Sequence, residues 1–203
     1  MRILFLALFI VTCCQNCFSQ KIVSGIYSSG LNLAFDELTG RVTGFYHNES
    51  GYDEKTGTAQ FSCTFYFSGT VESKQGKIVS FYQGDSVPDS IPGTLELGIN
   101  DQLTISLNSE HGGCWNVQSF TADPVSFSLY KAVSWSQIRY VTGSNVDLFK
   151  DERGTSAFNI KLPFGSVLGI SGIKGDFARC TLLNSADDVI EGWIKTHDLN
   201  VLK

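Results

Sequence analysis

The side chains with the strongest intrinsic chemistry are few: Cys63, Cys114 and Cys180 in the body of the chain, Cys13, Cys14 and Cys17 near its start, and the histidines His47, His111 and His197. His111 and Cys114 flank Gly112 and Gly113, so a tight loop could bring thiol and base together. A nucleophilic thiolate also needs a lowered pKa and an orienting partner, and Cys63 competes for the same sulfur. The histidines are far apart, each in a predicted turn, with no Cys-x-x-Cys or His-x-x-x-His spacing to gather metal ligands, and they read as solvated turn residues. No nucleophile elbow, P-loop or paired-carboxylate signature occurs, and Asp187-Asp188 reads as a solvated hairpin turn. No catalytic residue, metal ligand or cofactor is therefore assigned, and the protein is expected not to be an enzyme.

The cysteines say more about compartment. Met1-Arg2, an apolar stretch over residues 3–12 and a small residue at Ser19 read as a signal peptide over residues 1–20, too short to span a bilayer core of about 30 Å. Acylation of Cys13 or Cys14 as a lipoprotein anchor is the alternative. Either places the protein outside the cytoplasm, periplasmic or secreted. There an odd set of three cysteines implies one bridge and one leftover thiol. Cys63 and Cys114 both lie in the first unit, residues 21–136, and are expected to pair. Cys180 alternates with apolar neighbours and reads as a buried small hydrophobe. The formal charge of -5 offers no basic footprint for nucleic acid, and no later apolar run is long enough for a membrane helix.

The elements that must position these residues are short β-strands. Runs at 31–36, 41–46, 59–70, 77–82, 93–99 and 102–107 are separated by turn chemistry such as Thr39-Gly40 and Asn100-Asp101. Helical stripes with caps are missing, apart from a possible single turn over 196–199. The pattern predicts an all-β protein: an antiparallel meander or barrel of about eight strands over residues 21–136, then a small second barrel over 137–203. Closure would remove exposed edges. With Trp135 on a short junction, the two units are expected to pack together. Asn48-Glu49-Ser50 fits an N-glycosylation acceptor in a loop.

Asn145-Val146-Asp147-Leu148-Phe149, the polar loop 150–156, Pro163-Phe164-Gly165-Ser166-Val167-Leu168-Gly169-Ile170, Gly175-Asp176-Phe177-Ala178-Arg179-Cys180 and Gly192-Trp193-Ile194-Lys195 follow in an order that resembles the bacterial SH3 (SH3b) family. The resemblance implies a small SH3-like barrel that binds cell-wall peptides or other extended chains, with Phe149, Phe177 and Trp193 in an aromatic groove. Phe177 stands where the family usually has Trp, and Lys150 where Arg is common. The competing reading makes the three aromatics core; for Trp193 that reading takes precedence, because so small a barrel needs its tryptophan for stability.

In the first unit, Gly25-Ile26-Tyr27 followed by Leu38-Thr39-Gly40-Arg41-Val42-Thr43-Gly44-Phe45-Tyr46 is similar to the start of an avidin-like or lipocalin-like barrel. Ordinary hairpin chemistry produces the same letters, and none of that family's ligand residues is carried over. The leading expectation is an exported binding protein contacting a peptide, a cell-wall fragment or an exported protein. Its alternatives are a small-molecule carrier with a hollow first barrel, and an inhibitor or immunity protein of an exported enzyme.

Overall fold

The computed structural model describes residues 21–83, 90–98, 102–183 and 190–201. The predicted leader and the turns at Asn100-Asp101 and Asp187-Asp188 lie outside the described residues. The chain is all-β. Strands β1 (Gly25–Tyr27), β2 (Leu31–Asp36), β3 (Arg41–Tyr52), β4 (Ala59–Glu72), β5 (Gln75–Phe81), β6 (Ile91–Leu97), β7 (Gln102–Leu107) and β8 (Val125–Ala132) form a closed barrel. Each strand pairs antiparallel with the next, and β1 closes on β8 through Gly25↔Ala132.

Period-two alternation decides which side chains enter the barrel. β5, β6 and β7 keep it cleanly, sending Ile78, Leu95, Leu97, Leu103, Ile105 and Leu107 inward. β4 departs from it, because Phe65 and Phe67 point into the barrel while Tyr66 and Ser68, on the opposite face, are also buried. That outer face is covered by the second unit, which explains why the apolar run there is nearly continuous. The interior centres on Tyr46, Phe65, Phe120 and Phe127, with Phe120 meeting Tyr46 and Phe65 edge-on at 5.0 and 5.1 Å between ring centres. The barrel is a packed core. Gly44 is part of the packing: a Cβ there would lie 2.0 Å from the Phe67 ring, so the aromatic occupies the volume that a side chain would need.

Phe120 comes from the long connection between β7 and β8, which folds back over one end of the barrel. Glu110 Oε1 ties this segment together, accepting from Phe120 N at 3.0 Å, Thr121 N at 3.2 Å, Ser119 Oγ at 2.5 Å and Thr121 Oγ1 at 2.7 Å. Desolvation pushes the Glu110 carboxyl up, but these four donors outweigh it and hold it below its ordinary value. The Cys63–Cys114 disulfide fastens the same segment to β4. This is the bridge expected from the sequence, and Cys180 is the free, buried thiol among the described residues.

The rest of the chain builds a six-stranded sheet from β9 (Gln137–Tyr140), β10 (Val146–Phe149), β11 (Ala157–Leu162), β12 (Val167–Lys174), β13 (Phe177–Leu182) and β14 (Glu191–Lys195), in the order β11-β10-β14-β13-β12-β9. A single turn of 3-10 helix, Thr196–Asp198, follows β14, and Val141 and Leu199 form an isolated bridge. Leu148, Leu168, Ile170, Ala178, Cys180 and Ile194 share the core of this sheet. Gly192 in the Gly-Trp pair faces inward: a Cβ there would sit 2.8 Å from the Leu148 side chain and from the Phe149 carbonyl, so only glycine lets β14 approach β10 so closely.

The two units share a third cluster, in which Ala34 and Tyr66 of the barrel meet Trp135, Ile138 and Val167. Tyr66 and Tyr140 lie 4.8 Å apart, and the backbone N–H of Ile138 donates to the buried Thr43 Oγ1 at 2.7 Å. Trp135, on the four-residue junction, packs over Gly169 and donates from Nε1 to Thr181 Oγ1 at 3.3 Å. The units pack together, as the short junction implies.

Several local expectations need correction. β3 runs on to Tyr52 instead of ending near 46, so His47 and Asn48 are strand residues: His47 Nδ1 is 2.7 Å from Thr64 Oγ1, and Asn48 Oδ1 accepts from Glu49 N at 2.9 Å. His111 is no solvated turn histidine. It is buried, stacked on Phe65 at 5.0 Å and hydrogen-bonded to Ser80 Oγ at 2.8 Å. β8, β9 and β11 were not foreseen.

Two outcomes follow from this packing. Gly44→Val, which must displace Phe67, is expected to lower stability by about 2 kcal/mol, whereas Gly172→Ala, with open space around it, should change stability by less than about 0.5 kcal/mol in chemical denaturation. In a chain beginning at Lys21, thiol titration should find one reactive thiol, and only after unfolding, because burial pushes Cys180 up to about 12; the paired change Cys63→Ser and Cys114→Ser should cost about 2–4 kcal/mol.

Candidate functional site

Alternation along three adjacent strands of the second sheet sends one set of side chains into its core and the other to its outer face. Leu148, Ala178, Cys180 and Ile194 are buried, which places Phe149, Phe177, Arg179, Trp193 and Lys195 outside. Register then gathers them: Phe149 opposes Trp193, Trp193 opposes Arg179, and Phe177 opposes Lys195. Phe149 and Phe177 meet edge-on at 5.6 Å, and Lys195 Nζ sits 6.0 Å from the centre of the Phe149 ring. The three aromatics singled out in the sequence thus lie together on one face. All three are partly exposed, so the expectation that Trp193 is core is corrected. The core of this sheet is filled by aliphatic side chains and Cys180, which leaves the tryptophan on the other face.

The loop between β10 and β11 forms the wall of this face. Its backbone at Gly154 lies against the Phe177 ring, close enough that a Cβ would come within 2.6 Å. Asp151 holds the loop in shape, its carboxylate accepting from Arg153 N at 2.9 Å, Thr155 N at 3.2 Å, Thr155 Oγ1 at 2.9 Å and Ser156 N at 2.9 Å. Desolvation raises the Asp151 pKa, yet the donors from Thr155, Arg153 and Ser156 prevail and keep it below the ordinary carboxylate value. Glu152 reaches across to Lys174 in an ion pair. Asp151, Glu152, Arg153, Thr155 and Trp193 line a groove of about 550 Å³. A flat indole beside the Arg153 guanidinium, on a loop that Asp151 holds in shape, can stack on an apolar group while the guanidinium pairs with polar groups along an extended chain.

The other sequence candidates do not converge here. His47, His111 and His197 belong to β3, the barrel-capping segment and the turn after β14, and among the described residues no three His, Cys, Asp or Glu gather closely enough to hold a metal. Cys114 is consumed by its disulfide. Ser80, which faces His111, is fully buried and donates to the Ile91 carbonyl at 3.1 Å, so that pair braces the barrel.

Sequence reasoning treated residues 150–156 only as a polar loop and missed the role of Asp151. The available signal was Asp followed by Gly154, Thr155 and Ser156, the composition of a turn that a carboxylate organises through its own backbone.

Comparison with known protein families, curated proteins and solved structures returns no match to this chain.

Because Asp151 is ionised more readily in the folded protein than in the unfolded chain, its contribution is present above the ordinary carboxylate value of about 3.9 and is lost as pH falls through the lower folded value. Amide exchange at Arg153, Thr155 and Ser156 should therefore accelerate selectively in that acid window. In Asp151→Ala it should already be fast at neutral pH, with the β12–β13 amides unchanged.

Proposed function

We propose that this is an exported, non-catalytic binding protein, in which an SH3b-like second unit contacts an extended peptide, a cell-wall fragment or a protein partner. The observation that carries this reading is the convergence of Phe149, Phe177 and Trp193 on one outer face, with Trp193 open to the groove beside the Asp151 loop. Trp193 is half-buried on that face beside Asp151, Glu152 and Arg153, and half-buried aromatics flanked by charged groups recur on recognition surfaces.

Export accords with the predicted leader and with a formed disulfide, which persists in oxidising compartments. Among the described residues no helix is long and apolar enough to cross a membrane. The carrier reading requires a hollow first barrel and draws no support from an interior filled by Tyr46, Phe65, Phe67, Phe120 and Phe127.

The test is retention of the whole exported chain on purified peptidoglycan, together with crosslinking to partners in extracts of the exported fraction. Trp193→Ala should reduce the specific signal about tenfold or more while leaving the melting temperature within a few degrees. Equal retention by the wild type and Trp193→Ala, or no retention and no crosslinked partner, would refute the proposal.

A further inference from the structure

The hairpin of β3 and β4 is longer than the barrel that uses it. β2 accompanies β3 only from Arg41 to Tyr46, and β5 accompanies β4 only from Tyr66 onward, yet β3 and β4 remain paired out to Tyr52↔Ala59. The distal part, residues 47–64, is thus a two-stranded arm standing beyond its neighbours. Isolated two-stranded ribbons are marginal in water, and among the contacts that pin this one are two from the segment that follows β7. Cys63 is bonded to Cys114, and Ser50 Oγ donates to the Asn116 carbonyl at 2.9 Å.

Both pins lie on the face of the arm that continues the barrel interior. The pairs Asn48↔Cys63 and Ser50↔Phe61 put Phe61 on that face, farther out than the disulfide, whereas the left-handed backbone at Gly51 breaks the alternation and lets the Tyr52 ring turn back to Glu49 at the tip of the arm. Around the end of the arm apolar surface is left uncovered: Phe61 is 40% exposed, Tyr52 60%, and Trp115, in the turn that carries both pins, 73%. The end of the arm also has a definite sign. Residues 47–61 carry Glu49, Asp53 and Glu54 against the single cation Lys55, in a chain whose net charge is -5. Glu49 additionally accepts from the Tyr52 hydroxyl at 3.0 Å, which holds carboxylate and ring side by side.

These charges choose among possible occupants. A second copy would bring two negative arms together, and an anionic lipid surface would be repelled, whereas a cationic segment gains attraction as it covers the aromatics. An extended conformation suits the site, since among the described residues the arm beyond β2 and β5 is paired only with itself. We propose that the end of the arm is a second binding surface, which docks a cationic, apolar, extended segment of a partner protein with Trp115 as the central anchor. It shares no residue with the Trp193 groove and does not depend on the function assigned to that groove.

The experiment uses the exported full chain and a labelled synthetic peptide alternating Lys with Leu, compared with its counterpart carrying Glu for Lys, by fluorescence anisotropy. The Lys peptide should bind, weaken as salt is raised, and lose about tenfold or more in affinity in the double variant Trp115→Ala, Tyr52→Ser. Asp53→Asn with Glu54→Lys should weaken it as well, and Trp193→Ala should leave it unchanged. Unchanged thermal unfolding of the Trp115 variant would show that the loss is one of binding. The proposal is overturned by no binding of the Lys peptide, by equal binding of the two peptides, by undiminished binding in the double variant, or by sedimentation showing that the arm instead pairs two copies of the chain.

Discussion

Phe120 is pressed edge-on between Tyr46 and Phe65 at one end of the barrel, and the first unit is organised around that contact. The ring comes from a connection with no regular strand of its own, so it stays in place only because its backbone is held. Glu110 does this from the front through donors on residues 119–121, and the disulfide does it from the side. Without such fastening the end of an eight-stranded barrel would open onto a space about wide enough for a small molecule. With it, the barrel is solid, and what the first unit presents to other molecules is its outer surface.

The second unit depends on the first by a similar logic of covering. Tyr66 and Ser68 face outward from the barrel and are buried, and residues from β9 and the junction supply the cover. The buried hydrogen bond from Ile138 N to Thr43 Oγ1 adds direction to an otherwise apolar contact, because misplacing it would leave a polar group unsatisfied. The interface occupies the β9 side of the second sheet and leaves the outer face of β10, β13 and β14 for Phe149, Phe177 and Trp193.

Much of this was legible in the residues, for identifiable reasons. β2 and β7 kept the bounds read from alternation and turn chemistry: β7 has one buried face and a clear period of two, and β2 keeps Leu31 and Leu33 on its inner face although Ala34 is also buried against the second unit. The Cys63–Cys114 bridge followed from counting and location. The end of β3 was misplaced because polar residues there are stabilised by pairing with β4 across an arm that has no core to mark it. His111 was misread because its burial comes from Phe65 and Ser80, more than 30 positions away, which no local pattern encodes. Trp193 was assigned to the core from size alone, whereas its face is set by its neighbours Gly192 and Ile194, both inward. The site loop was visible as turn chemistry but not as a site, since its relation to Trp193 exists only once β10 and β14 are adjacent.

The closure of β1 on β8 has a geographical consequence. The backbone N–H of Val133, where the chain leaves the barrel, donates to the carbonyl of Ser24, where it enters, at 2.9 Å. Residues 21–24 and 133–136 line one shared groove at that point. The doorway into the first unit is therefore also the hinge post of the second. Lys21 and Ile22 lie at the same seam as Trp135, so the start of the first unit and the start of the second share one neighbourhood.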